Sequence, residues 1–211
     1  MIEKYLDNRF IALYIIPFIL GLSTTLSFEP FNIVIINFII LPIFFYLIVF
    51  INKKSRFIYR KKPYKKNLFI FGLVFGFGFY LSGISWITNS LTFDENFKIL
   101  IPFALILIPL SLGLFMGLTT SLVGPYLKLD FSSLFIFSAS LSFSDYLRSN
   151  VLTGFPWNLW AYSTTSINEI LQVLNLIGLH SYNLLVVTIL IMPIIIFFKT
   201  SKIKKIICGL F

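Results

Sequence analysis

Asp145 and Arg148 stand three residues apart, and the stretch LTGFPWNLWAYS follows at 152–163. On a helix that carboxylate and guanidinium share a face and can pair. An arginine can also grip a phosphate, and indole or phenol rings can lie against acyl chains or at headgroup level. Residue types alone leave two readings open: an aromatic belt closed by a helix-end ion pair, or a surface that handles lipid. Other groups able to do chemistry are few. His180, the single histidine, lies in an apolar run with no partner at nucleophile spacing, and reads as a packing or hydrogen-bonding residue. Cys208, the single cysteine, excludes an internal disulfide and reads as a small apolar helix residue. No Cys/His cluster suggests a metal, and nothing calls for a cofactor.

The backbone around these residues is not expected to be helical across 153–157. Pro156 pushes Phe155 toward extended geometry, and Gly154 frees the chain beside it. Irregular backbone at membrane depth survives only where protein or water covers it. The segment should therefore sit at the membrane surface or fold back into the protein, with Trp157, Trp160 and Tyr162 at headgroup level.

The rest of the chain supplies the membrane. It is 58% hydrophobic and only 12% charged, with mean hydropathy +0.93. Soluble domains carry about 25% charged residues. A hydrocarbon core of about 30 Å needs about 20 apolar residues in a helix. Apolar runs at 10–28, 31–51, 68–91, 99–124, the short serine-rich 131–147, and within 167–198 meet or approach that length. A further run begins at 206. The expected fold is an all-α polytopic membrane bundle of about six transmembrane helices plus the start of a seventh, with residues 1–211 forming one membrane domain. The first run reads as a retained helix rather than a cleaved signal.

The net charge of +9 is unevenly placed. With six spans, the N-terminal tail, the loop 52–67, the loop with Lys128 and the loop 199–205 all fall on one side. Of the 17 basic residues only Lys98 and Arg148 fall on the other. Basic loops mark the cytoplasmic side, so the N-terminus is expected there and the 148–166 segment outside. The run from Lys53 to Lys66 reads as a topology determinant near anionic lipid, and no nucleic-acid partner is expected.

Gly72 and Gly76, and Gly113 and Gly117, form GxxxG pairs that pack neighbours within one bundle or join two copies. Pro17, Pro42, Pro102, Pro109 and Pro193 lie in apolar runs and are expected to kink helices. Ionisable groups are nearly absent from mid-span positions, which counts against a pump or transporter.

The stretch SDYLRSNVLTGFPWNLWAYS resembles the apolipoprotein N-acyltransferases of bacterial inner membranes. Their membrane domain carries an acidic-x-x-Arg, a Thr-Gly-Phe-Pro-Trp and a Gly-Tyr-Ser-Gln. Asp145, Arg148, Thr153, Gly154, Phe155, Pro156, Trp157, Tyr162 and Ser163 match in order and spacing, while Ala161 and Thr164 depart. LSFEPFN is similar to that family's apolar-x-Pro-Phe link between its first two spans. GFGFYLSGISWITNSL, with Trp86, resembles its third span. LNLIGLHSYNLLVV resembles the start of its sixth, with His180-Ser181 replacing a commoner Tyr-Gly.

The resemblance implies a function. In that family a nitrilase-like domain follows the seventh span and carries a Glu–Lys–Cys triad. Its cysteine takes an acyl chain from a phospholipid as a thioester and passes it to the α-amine of a diacylglyceryl-cysteine on an apolipoprotein. No residue of that triad lies in this sequence, and Cys208 is not its nucleophile. The chain is expected to be the membrane part of such an enzyme, truncated or split from its catalytic domain and inactive by itself. Arg148, Phe155, Pro156, Trp157 and Tyr162 are the expected substrate contacts, with a phospholipid donor and an apolipoprotein acceptor as partners. The other readings are a non-enzymatic membrane scaffold or transporter subunit, and a degenerate fragment.

Overall fold

A computed structural model describes residues 6, 8–57, 64–151 and 156–198. The 206–211 run, with Cys208, lies outside them, as do 199–205 and part of the basic loop. Among the described residues there are helices and no strands. The first apolar run is α1 (Ile16–Thr24), entered through a π turn and left through a 3₁₀ turn. It is followed by α2 (Asn37–Phe57), α3 (Tyr64–Ile84), α4 (Ile101–Val123) and α5 (Phe131–Val151). Two single-turn pieces, α6 (Asn168–Leu171) and α7 (Val173–Ile177), lead to α8 (Leu179–Ile191).

Four stretches are long and apolar enough to cross a membrane: Val34–Arg56, Tyr64–Thr92, Glu95–Tyr126 and Leu179–Phe197. Ile11–Ser27 is apolar but shorter. At 21 residues α5 is longer than the apolar run suggested, and about 32 Å of helix suffices to span. Its serines, Asp145 and Arg148 lower its hydropathy, and ten of its residues turn polar or apolar side chains into the protein. The protein is thus a polytopic helical membrane protein.

The last span, Leu179–Phe197, lies within the apolar stretch 167–198. Gly178 has φ +77°, a backbone that ends α7 and lets α8 begin in a new direction. Side chains with a Cβ rarely adopt that angle.

Pro42 and Pro109 lie inside α-helices. Pro17, Pro102 and Pro193 stand where one helical geometry passes into another: π to α at Pro17, 3₁₀ to α at Pro102 and α to 3₁₀ at Pro193. A proline nitrogen cannot donate into the preceding turn, which suits such junctions.

The centre of the bundle is α3, with α4 on one flank and α1 on another. Lipid tails are as apolar as leucine, so helices here associate by close packing rather than by expelling water. Glycine provides the closeness. A Cβ on Gly76 would meet the Gly113 Cα and Met116, and one on Gly72 would meet the Met116 carbonyl and Thr120. A Cβ on Gly113 or Gly117 would strike α3 in return, at Leu73, Phe77 and Phe69. Thr120 Oγ1 donates to the Leu68 carbonyl across this seam at 2.8 Å. Both GxxxG pairs are therefore spent on one contact inside the chain. On the other flank, Gly78 lies against the Phe18 carbonyl and Gly21 against that of Phe75. Phe44 of α2 fills the remaining side, with ring centroids 5.3 Å from Phe71 and 4.0 Å from Phe75.

One end of the bundle is basic. Arg9 donates to Asn67 at 2.9 Å, Asn67 to Ser55, and Arg56 to the Pro125 carbonyl at 3.1 Å. Ser121 donates to the Lys65 carbonyl. Arg9, the end of α2, the start of α3 and the turn after α4 thus meet there.

A Gly76→Leu substitution should push α3 from α4. Overpacking of this kind costs about 1–3 kcal/mol, so thermal unfolding in detergent should show a lower midpoint than wild type. The control is Phe103→Leu on the lipid-facing side of α4, where the side chain is exposed, and it should leave the midpoint unmoved.

Candidate functional site

The opposite end gathers every segment singled out from the sequence. The link after α1, the end of α3, the loop 156–167, the last turns of α5 and the first of α8 meet there.

Its foundation is a buried charge. Arg148 Nη2 donates to Asp145 Oδ1 at 3.2 Å, as the three-residue spacing anticipates. The pair is not a surface feature of a helix end, however. Helix α5 runs on to Val151, and Asp145 and Arg148 are 2% and 1% exposed. The guanidinium lies over the Tyr80 ring of α3, 5.0 Å from its centroid. Such a pair survives burial only if its remaining atoms find partners. Asn183 Nδ2, from α8, donates to the other carboxylate oxygen of Asp145 at 3.0 Å. Arg148 Nε and Nη1 have no hydrogen-bond partner among the described residues.

Asn183 also reaches the loop. Its Oδ1 accepts the Ala161 backbone N–H at 3.0 Å. One side-chain amide thus joins the α5 carboxylate to the backbone of the aromatic segment. Two further contacts hold the loop. The Thr164 and Tyr182 hydroxyls share a hydrogen bond of 2.6 Å. The Trp160 indole stacks on Phe79 at 5.1 Å, with the planes 17° apart. Trp160 is fully buried, so it is a core residue and not the headgroup-level ring its type suggests. Its indole Nε1 finds no hydrogen-bond partner among the described residues.

Pro156, Trp157 and Tyr162 are half-buried. Phe155, with Thr153 and Gly154, lies outside the described residues. The Trp157 ring tilts against Trp86, centroids 6.4 Å apart. Asn158, at φ +43°, turns the chain in the left-handed region that asparagine tolerates. Burial raises the Tyr162 phenol above its ordinary value, with the Arg148 guanidinium pulling the other way. The phenol therefore stays a hydrogen-bond donor at neutral pH. His180 sets its ring edge-on to Tyr146 at 5.0 Å, in keeping with a packing role.

Above this foundation opens a cavity of about 470 Å³. Its walls come from the link (Thr25, Phe28, Glu29, Pro30, Phe31), from the end of α3 and the turn beyond it (Ser82, Gly83, Ser85, Trp86), and from the loop (Asn158, Tyr162, Thr165). The size suits a ligand headgroup or part of a lipid. Sequence reasoning found Trp86 and Tyr162 but missed Asn183, Tyr80 and Glu29. For Asn183 the available signal is an amide in the apolar run after His180.

Fold and site together define a multi-pass membrane protein with a polar-and-aromatic cavity at the end opposite its basic loops. Comparison with known proteins identifies the class more narrowly. The family model of the apolipoprotein N-acyltransferase N-terminal domain matches residues 20–192, and the chain belongs to that family. A curated apolipoprotein N-acyltransferase of Rhodopseudomonas palustris is 32% identical over 183 residues, covering 86% of this chain and 33% of the relative. One of Brucella melitensis is 27% identical over 179 residues, covering 83% and 33%. One of Rickettsia bellii is 33% identical over 119 residues, covering 56% and 24%. The chain spans about a third of the length of the curated relatives that match most of it.

Replacing Asn183 by Ala removes both bonds and strands a buried carboxylate. Loss of a partner to a buried charge costs about 1.5–3 kcal/mol. Unfolding of Asn183→Ala, Asp145→Ala and the double variant should give a coupling energy of about 1 kcal/mol or more. Additive losses would mean that the bridge is not energetically real.

Proposed function

We propose that this chain is the membrane part of an N-acyltransferase that moves an acyl chain from a phospholipid to the N-terminal diacylglyceryl-cysteine of apolipoproteins. The observation that carries the reading is the assembly of the cavity. Three separate stretches, each resembling that family's membrane domain, come together around one space. Family membership favours this reading over a plain scaffold or a transporter subunit.

The acyl-transfer chemistry belongs to a nitrilase-like catalytic module outside these 211 residues. The role of this chain is to hold lipid substrates where that module can reach them. Trp157, with Pro156, offers an apolar surface for an acyl chain or for the lipid anchor of the acceptor, and Phe155 is assigned to the same role by its type alone. Arg148 keeps two nitrogens that bond to nothing among the described residues; its side chain is buried here, so its reach to a phosphate oxygen requires the cavity floor to open. The bundle sits in the bacterial inner membrane with its basic end, including the N-terminus, in the cytoplasm and the 148–166 segment in the periplasm. That orientation rests on the distribution of lysine and arginine.

Two measurements test this. In a Cys208→Ser background, Trp157→Cys should react with a membrane-impermeant thiol reagent from outside intact spheroplasts, and Lys54→Cys only after lysis. The opposite pattern would overturn the orientation. Trp157→Ala should lower acyl transfer by membranes carrying the complete enzyme at least about tenfold, a loss of about 1.4 kcal/mol in transition-state binding, while membrane insertion is unchanged. Full transfer activity would remove the loop from the reaction.

A further inference from the structure

The cavity has one charged wall residue, and its sign is negative. Glu29 is the only ionisable acid or base among the lining residues apart from the Tyr162 phenol. It stands between Phe28 and Pro30 in the link. The link itself is fixed by backbone bonds: Phe31 N–H and Asn32 N–H to the Phe28 carbonyl at 3.0 and 2.9 Å, and Ile33 N–H to the Leu26 carbonyl at 3.0 Å. The carboxylate is exposed, and no ion pair holds it among the described residues.

Four aromatic residues line the cavity with it: Phe28, Phe31, Trp86 and Tyr162. Phe31 and Trp86 are 59% and 61% exposed, so their faces are available to an occupant. Hydroxyls of Thr25, Ser82, Ser85 and Thr165 and the Asn158 amide complete the lining. Among the described residues no cation pairs with this carboxylate: Arg9, Arg56 and Lys65 lie at the far end, Lys98 pairs with Glu95, and Arg148 is buried against Asp145.

A single carboxylate within an aromatic wall repels anions. The lining hydroxyls of Thr25, Ser82, Ser85 and Thr165 donate to nearby backbone carbonyls, so one carboxylate alone offers the anionic oxygen that a hard divalent cation favours. The wall suits a soft organic cation, which gains from ring faces as well as from the opposite charge. We propose that this cavity is a subsite for an alkylammonium group, with Glu29 as its counter-ion and Trp86 as its principal ring. At a membrane surface that group belongs to an amine-bearing lipid headgroup or to the free N-terminus of a membrane-anchored polypeptide. The inference deepens the reading given above and rests on it for the purpose of binding.

Calorimetric titration of the full chain in detergent micelles tests the subsite without any acyl transfer. Dihexanoylphosphatidylethanolamine should bind about tenfold more tightly than dihexanoylphosphatidylglycerol, a difference in the range of one good cation–π contact with an ion pair. Glu29→Gln should abolish the preference, and Trp86→Leu should reduce it severalfold. A second titration uses a lipidated peptide with a free N-terminal amine and its N-acetylated form. Preference in the lipid arm alone assigns the headgroup, in the peptide arm alone the polypeptide amine, and in both the shared chemistry. No preference in either arm for the wild type, or a preference that survives Glu29→Gln, overturns the proposal. Thermal midpoints of both variants check that each folds, and either variant suffices if the other does not. An ammonium preference beside a Trp157→Ala enzyme of full activity would remove the loop from the reaction and keep the subsite. The reverse pattern would remove the subsite alone.

Discussion

The Asp145 carboxylate sits where water does not reach, and much of the architecture at that end follows from satisfying it. An ionised carboxylate in a medium of low polarity needs donors fixed by the protein. Arg148 from the same helix and Asn183 from α8 supply them. Because Asn183 has a second polar atom, the same amide also holds the Ala161 backbone. A requirement of electrostatics thereby becomes a constraint on loop position. The aromatic segment rests on three ties of different kinds, namely this amide, the Thr164–Tyr182 hydroxyl pair and the Trp160 stack on Phe79.

Glycine does the corresponding work in the bundle. Without side chains at Gly72, Gly76, Gly113 and Gly117, α3 and α4 approach until backbone meets backbone. Gly21 and Gly78 do the same between α1 and α3. Helix α3 can then lie between two neighbours at once, and its end arrives beside the link that follows α1. The cavity is the space left where those two ends diverge and the loop from α5 closes over them. Packing within the membrane and the shape of the cavity outside its core are therefore one problem.

Much of this is legible in the sequence, and the exceptions have physical reasons. Apolar runs mark the spans, loop lysines mark the basic end, and the spacing of Asp145 and Arg148 marks their pairing. Those signals are local. The burial of that pair is not, because it depends on Tyr80 and Asn183, which are distant in sequence. Trp160 misleads for the same reason: a tryptophan near a span end suits the interface, but Phe79 offers it a flat partner inside. Hydropathy does not register the changes of helical geometry at Pro17, Pro102 and Pro193. The start of α8 is set at Leu179 by the backbone of Gly178, which hydropathy also misses. Glu29 is silent in sequence, since its meaning comes from rings on other segments.

The three tryptophans of the chain, Trp86, Trp157 and Trp160, all belong to this one end. They stand at graded depths, from a largely exposed rim through a half-buried wall to a sealed core. Nothing at the basic end contributes an indole. The intrinsic ultraviolet emission of the protein is consequently a local signal. Its wavelength and quenching report the polarity of the cavity and its floor while remaining blind to the other end of the molecule.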